Sequence, residues 1–201
     1  MSTKVKINVS LIGALCQDRV KRWHVVDVSR EQRLSEHSAG VTFIVDHIFA
    51  AMEVYFRPIS PKVYLAALQA ALYHDAHEPF VGDRPTCAKE WDKNAVKYTS
   101  SLYETAMESV IDIKSKRLIT EVISLADSLE ALRFLIRNSQ FQHSKIIRNE
   151  IDERVSDKIT EVLMAILEYF GMTSPSDEQI TAWEEMVTRL KQWHAQIDED
   201  K

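Results

Sequence analysis

Glycine is scarce in this chain. Gly13, Gly40, Gly82 and Gly171 are the four among 201 residues, against an average share of about 7%. That argues against a turn-rich all-β fold and against a glycine-rich phosphate loop, both of which need backbone that only glycine adopts freely. Cysteine is scarce too. Cys16 and Cys87 form neither a metal-ligand spacing nor a disulfide framework, so reduced thiols in the cytoplasm are the expectation. No apolar run approaches the roughly 20 residues of a membrane span. The short apolar run at residues 9–16 lacks the small-residue cleavage pattern of a secretion signal. A basic excess is also missing. Lys and Arg number 25 against 30 Asp and Glu, for a net charge of −5. The two signs are interleaved, so there is no basic stripe to hold a nucleic acid polymer. A small anion remains open as a ligand, because local cations or a metal ion outweigh a weak global charge.

Apolar residues make up 45% of the chain, enough for burial to offset the entropy of ordering. Their spacing is helical throughout, and no repeat, low-complexity tract or long linker divides them. The expectation is all-α, a helical bundle with a central buried helix, as one domain over residues 1–201. A short helix is predicted near residues 8–20, and Ser35 as the N-cap of a helix to about Phe56. His37, Val41, Ile44 and Ile48 share a face of that helix. Arg57-Pro58-Ile59-Ser60-Pro61 stops it and starts the next, with Pro61 in the first turn. Residues 62–75 are apolar almost all round, as a helix covered on every side would be. Pro79, Gly82 and Pro85 make the following segment a loop. Further helices are predicted over 89–110, 114–138, 147–170 with Gly171 as C-cap, and 177–197.

Polar residues in apolar settings mark the chemistry. Tyr73-His74-Asp75 ends a helix otherwise too apolar to leave an imidazole and a carboxylate without partners. Burying such groups unpaired costs several kcal/mol, and a divalent cation satisfies both. A His-Asp dipeptide alone is weak, since most such pairs lie at helix ends or on the surface. His37 adds weight, although a core histidine bonded to a backbone carbonyl is the usual alternative. Asp127 adds more. It shares a face with Ile123, Ala131 and Phe134, and no Lys or Arg lies three or four residues away.

Taken in order, His37, His74-Asp75 and Asp127 resemble the H…HD…D pattern of the HD-domain metal-dependent phosphohydrolases. Arg22-Trp23, Ser35-Glu36-His37-Ser38, Tyr73-His74-Asp75-Ala76, Glu78, Gly82-Asp83-Arg84-Pro85-Thr86 and Ala126-Asp127-Ser128-Leu129 narrow the likeness. It is to the bacterial 5′-deoxynucleotidases of the YfbR type. The resemblance implies that His37, His74, Asp75 and Asp127 hold one divalent metal ion. For two His and two Asp, Mn²⁺, Co²⁺, Zn²⁺ or Fe²⁺ fits better than Mg²⁺, for which imidazole is a poor ligand. It implies that Arg22 orients the substrate phosphate, as the planar guanidinium suits. Trp23 would pack on the sugar and disfavour a 2′-hydroxyl. Glu78 and Asp83 would handle water and the leaving-group proton. Arg84, Pro85 and Thr86 would contact the nucleotide, with His37, Asp75 and Asp83 also lining it. His77 and Pro79 depart from the family pattern around Glu78. His77 is read as solvent-facing or as a spare imidazole near the metal, and His24 as a neighbour of the substrate.

Three functions stay open on these residues. The first is removal of the 5′-phosphate from deoxynucleoside monophosphates. The second is a phage-type relative acting on a dNTP such as dATP. The third is a non-catalytic nucleotide sensor, against which Glu78 and Asp83 speak. A helical interaction protein with an accidental His-Asp pair leaves His37 and Asp127 unexplained. The resemblance also implies a homo-oligomer, with no membrane and no nucleic acid polymer as partner.

Overall fold

The computed structural model describes residues 4–23, 26–82, 97–110, 112–139 and 141–192. In chain order these form β1 (Lys4–Ile7), α1 (Leu11–Ala14), a 3₁₀ turn (Leu15–Arg19), β2 (Lys21–Arg22) and β3 (Gln32–Arg33). α2 (Leu34–Tyr55), α3 (Pro61–Tyr73), α4 (Glu78–Val81) and β4 (Lys97–Ser100) follow. α5 (Ser101–Glu108), α6 (Ile113–Asn138), α7 (Gln142–Phe170) and α8 (Asp177–Gln192) complete the described residues.

The core is organised around α6, which packs against α2, α3, α7 and α8. Asp112 caps it, its carboxylate accepting a hydrogen bond from the Ser115 amide at 2.8 Å. Leu118, Ile119, Val122, Leu125, Ala126 and Leu135 along it are fully buried. From α2, Val41, Val45, Ile48, Phe49 and Met52 meet them, again with no exposed surface. Trp183, Met186, Val187 and Leu190 of α8 close the same core. α7 ends at Gly171, whose φ of 65° is the left-handed conformation of a helix C-cap. The Met172 amide returns to the Leu167 carbonyl at 2.8 Å.

Several sequence expectations need correction. Ser35 is not the N-cap of α2. Arg33 holds that place, and Glu36 reaches back to its amide at 3.4 Å while pairing with Arg30 at 2.9 Å. Glu36 supplies the half of a capping box that runs from the third helical residue back to the N-cap amide. α3 is not covered all round. Its buried face is built of Val63 and four alanines, Ala66, Ala67, Ala70 and Ala71, while Leu65 and Leu72 stay exposed. The segment after it is not all loop, because Glu78–Val81 forms one helical turn with Pro79 tolerated at its start. Of the helix predicted over 89–110, residues 89–96 lie outside the described residues, residues 97–100 are strand β4, and α5 spans Ser101–Glu108. α7 starts at Gln142 rather than 147, and α6 at Ile113 rather than 114.

The two small sheets were not predicted. β1 pairs in parallel with β4, in register from Lys4↔Lys97 to Ile7↔Ser100. β2 and β3 form an antiparallel ribbon with Arg22 opposite Gln32. Both position the site. Ser100 caps α5 through the Tyr103 amide at 3.0 Å, and its hydroxyl donates to the Tyr73 carbonyl at 2.8 Å. That bond ties β4 to the turn bearing His74 and Asp75. The β2–β3 ribbon carries Arg22 and Trp23 to the opening of α2.

Candidate metal centre and substrate site

Three stretches of backbone converge near the first turns of α2. α2 supplies His37, which is fully buried. The end of α3 supplies His74 and Asp75, and the middle of α6 supplies Asp127. Nε2 of His37 lies 3.1 Å from Asp127 Oδ1 and 3.7 Å from Asp75 Oδ2. Nε2 of His74 lies 3.2 Å from Asp75 Oδ2. The ring centroids of the histidines are 5.3 Å apart. Ligand atoms of His37, His74 and Asp127 all fall within 4.8 Å of one another, a spacing that could hold a metal ion.

The second nitrogens of the imidazoles define how this site can be used. Nδ1 of His74 donates to the Ala71 carbonyl at 2.7 Å, and Nδ1 of His37 to Glu130 Oε2 at 2.6 Å. Both rings are thus turned with Nε2 toward the carboxylates, as in metal sites oriented by outer partners. Among the described residues neither Nε2 finds a hydrogen-bond partner, although both are buried. Orphaned buried nitrogens beside two carboxylates suit a divalent cation bound by mixed N and O donors.

Charge in the site points the same way. Burial disfavours the His74 imidazolium, but the Asp75 carboxylate beside it, with Asp127 behind, pushes its pKa up to about 9. Burial likewise opposes ionisation of Asp75, yet His74, His37 and Arg22 hold it well below the ordinary carboxylate range. For Asp127 burial is again opposed, by the adjacent His37 imidazole and by the charges of His74 and Arg22, and its pKa is lowered. The pocket stabilises positive charge, carried by a proton or by a metal.

Arg22 is half-buried on β2, and its field reaches both Asp75 and Asp127. Its guanidinium carbon sits 5.7 Å from the Trp23 ring centroid. Trp23 stacks on Phe134 of α6, with centroids 5.6 Å apart and planes 3° from parallel. It holds a φ of 68°, a left-handed conformation that costs a bulky residue about 1–3 kcal/mol and persists only where its surroundings fix it. Glu78 is 3% exposed at the start of α4, and its amide donates to the Asp75 carbonyl at 2.9 Å. The turn therefore links Glu78 directly to the His74-Asp75 pair. His77 beside it is half-buried rather than solvent-facing, and His47 and His143 are exposed. Asp83, Arg84, Pro85 and Thr86, and with them His24, lie outside the described residues.

Three residues escaped the sequence reading. Glu130 is 4% exposed and is the partner of His37; Gln32, 2% exposed, donates to its other oxygen at 2.9 Å. Gly40 makes room, for a Cβ there would meet Glu130 Cγ at 2.7 Å. The available signal was Glu130 itself, a carboxylate one turn after Asp127 inside the apolar run of α6, facing a mid-helix glycine.

The matches to known proteins agree with this geometry. The profile of a family described as 5′-deoxynucleotidase YfbR-like matches residues 16–122, just over half of the chain. The chain belongs to the YfbR-like family. It is an HD-domain phosphohydrolase. The family match ends before Asp127, which the fold brings to the site. Among relatives, a dATP triphosphohydrolase of Salmonella phage PMBT28 is 27% identical over 150 residues, 71% of this chain and 74% of that protein. The 5′-deoxynucleotidase YfbR of Escherichia coli is 27% identical over 99 residues, 49% of each chain. The match thus spans only about half the length of that curated relative. The HD phosphohydrolase DatZ of cyanophage S-2L, solved with dA and one catalytic Zn²⁺, superposes with a TM-score of 0.63 at 20% identity. That alignment covers 92% of this chain and 99% of DatZ.

Proposed function

We propose that this protein is a metal-dependent phosphohydrolase of deoxynucleotides that removes the 5′-phosphate from deoxynucleoside monophosphates. The observation that carries this reading is the pair of imidazoles, each held at Nδ1 with Nε2 aimed at the same two carboxylates, in a chain of the YfbR-like family. His37, His74, Asp75 and Asp127 would hold the cation. The donor set favours Mn²⁺, Co²⁺, Fe²⁺ or Zn²⁺ over Mg²⁺. When bound, such an ion supplies a Lewis acid for phosphate oxygens and acidifies water.

The remaining steps fall to side chains. Arg22 orients the phosphate, its guanidinium forming paired hydrogen bonds to the oxygens. Trp23 packs on the sugar and leaves little room for a 2′-hydroxyl. Glu78 positions a water and takes its proton as the new oxygen–phosphorus bond forms. The bond from phosphorus to the 5′-oxygen breaks, and Asp83 returns a proton to that oxygen. Arg84, Pro85 and Thr86 complete the nucleotide contacts in this proposal. Deoxynucleoside and phosphate leave.

A second reading, release of triphosphate from dATP, is favoured by the phage relative, which matches over more of its length than YfbR does. The two share the metal site and differ in the bond cleaved. Phosphate, pyrophosphate and triphosphate released from dNMPs, dNTPs and NMPs, with Mn²⁺ or Co²⁺ present, separate them. Phosphate from dNMPs is the expected product. Activity on dNTPs with none on dNMPs transfers the assignment to the second reading. Equal rates on ribo- and deoxynucleotides would remove the role given to Trp23.

On the same reading the enzyme is expected in the cytoplasm, where charged nucleotides are retained, with residues 1–201 as one domain. No helix among the described residues is long and apolar enough to cross a membrane. Self-association belongs to the same proposal. Leu11, Ile12 and Leu15 are 64–78% exposed beside the α1–α4 contact, where Phe80 packs on Gly13. Sedimentation of the protein is expected to show more than one chain per particle.

A further inference from the structure

The hydrogen bonds around His37 continue past Glu130. His37 Nδ1 meets Glu130 Oε2 at 2.6 Å, Gln32 Nε2 meets Glu130 Oε1 at 2.9 Å, and Trp23 Nε1 meets Gln32 Oε1 at 2.8 Å. His37, Gln32 and Glu130 are 0%, 2% and 4% exposed. The chemistry of the ends leaves one arrangement. An indole N–H only donates, so Gln32 must present its oxygen to Trp23 and its amide nitrogen to Glu130. A carboxylate only accepts, so Glu130 takes one hydrogen from Gln32 and the other from His37. With its hydrogen on Nδ1, His37 offers Nε2 to the site.

We propose that Glu130 and Gln32 form a buried relay joining the metal-facing imidazole of His37 to the Trp23 ring. Glu130 is then a positioning residue for both the cation and, through Gln32, the sugar-facing tryptophan. This rests on the function proposed above for the two ends of the relay, His37 and Trp23. Three features support it. The relay joins the β2–β3 ribbon, α2 and α6, and its longest single bond, Gln32 to Glu130, spans 98 positions. Gly40 leaves room for Glu130 on this path, since a Cβ there would lie 2.7 Å from its Cγ and 3.1 Å from its Oε1. Trp23, in its left-handed backbone, is held on its face by Phe134 and at its nitrogen by Gln32.

Glu130→Gln tests the relay. A glutamine at 130 can accept from His37 with its oxygen, but its nitrogen then faces Gln32. Either that contact sets donor against donor, or Gln32 turns over and sets its nitrogen against the Trp23 indole. Exchanging the two groups in Gln32→Glu/Glu130→Gln restores a full alternation of donors and acceptors while moving the negative charge away from His37. The readouts are Co²⁺ affinity of the EDTA-stripped protein and the Trp23 indole ¹H–¹⁵N signal, assigned by its loss in Trp23→Phe.

Glu130→Gln is expected to bind Co²⁺ about 10–100-fold more weakly, as loss of an outer partner does elsewhere, and to displace the Trp23 signal. The exchanged double variant, whose indole donates to a carboxylate, is expected to regain a hydrogen-bonded Trp23 signal, shifted further downfield than the parent's, and to remain weaker than the parent for Co²⁺. A folded Glu130→Gln protein with unchanged Co²⁺ affinity, or an unmoved Trp23 signal, overturns the relay. So does a double variant whose Trp23 signal is that of an indole without a hydrogen-bond acceptor. Should Glu130→Gln fail to fold, the double variant carries the test: parental Co²⁺ affinity there overturns the positioning role. A parent protein that binds Co²⁺ but hydrolyses no deoxynucleotide would defeat the proposed function and leave the relay standing.

Discussion

Gly40 shows how much of the site depends on single atoms. The nearest contact of an added Cβ is Glu130 Cγ, at 2.7 Å, and Glu130 is anchored at both oxygens. The clash cannot be relieved by swinging a loose side chain, so Gly40→Ala is expected to destabilise the fold by about 1–3 kcal/mol. It is also expected to weaken metal binding with the displaced Glu130. Chemical denaturation and Co²⁺ titration check the two effects. His74 gives a second residue-scale outcome. Its pKa is raised from 6.5 to about 9 by the carboxylates that overcome burial. The imidazolium therefore stabilises the metal-free protein fully below 6.5, and that contribution is lost as pH rises toward 9. Metal loading must displace that proton, so Co²⁺ affinity is expected to climb between those values and level off above them. Calorimetry in buffers of different ionisation enthalpy is expected to show about one proton released per ion bound at neutral pH.

At the scale of elements, α6 is the piece on which α2, α3, α7 and α8 all pack, and its start is fixed by one cap. Asp112→Ala is expected to cost about 1 kcal/mol while leaving metal affinity unchanged, because the cap is remote from Asp127. The Ser115 bonds lower the Asp112 pKa below 3.8. The cap's contribution is thus present above that value and fades as pH falls through the lowered one. Urea denaturation at pH 7 and near pH 3 measures both. α6 was legible in the sequence because Leu118, Val122, Leu125, Leu129 and Leu132 repeat with helical period, and burial follows period closely in a long helix. α2 was legible for the same reason through Val41, Ile44 and Ile48. β1 and β4 were not. Lys4-Val5-Lys6-Ile7 does alternate polar and apolar residues, but the run is short, Lys97-Tyr98-Thr99-Ser100 has no such pattern, and each strand exists through a partner more than 90 positions away. The start of α2 was misplaced for a local reason: its N-cap is Arg33, which has no capping hydroxyl, and the helix start is held by Glu36 reaching back to the Arg33 amide.

Across the whole molecule, His37, His74-Asp75 and Asp127 come from three different helix regions and meet only when α2, α3 and α6 are packed. Their residue types were legible because each is a polar group in an apolar run. Glu130 and Gln32 were not, because a hydrogen-bond chain across 98 positions leaves no pattern along the sequence. A site assembled this way belongs to the folded chain alone, so a bound cation adds stability, about 2.7 kcal/mol at a hundred times its dissociation constant. The most direct measurement strips the protein with EDTA and follows phosphate release from a deoxynucleoside monophosphate as Co²⁺ is added back. The expected result is no release from the stripped protein. Recovery should saturate at about one ion per chain, with no recovery in a His74→Ala/Asp75→Ala variant. Full hydrolysis by the stripped protein, or by that variant, would contradict a metal-dependent phosphohydrolase.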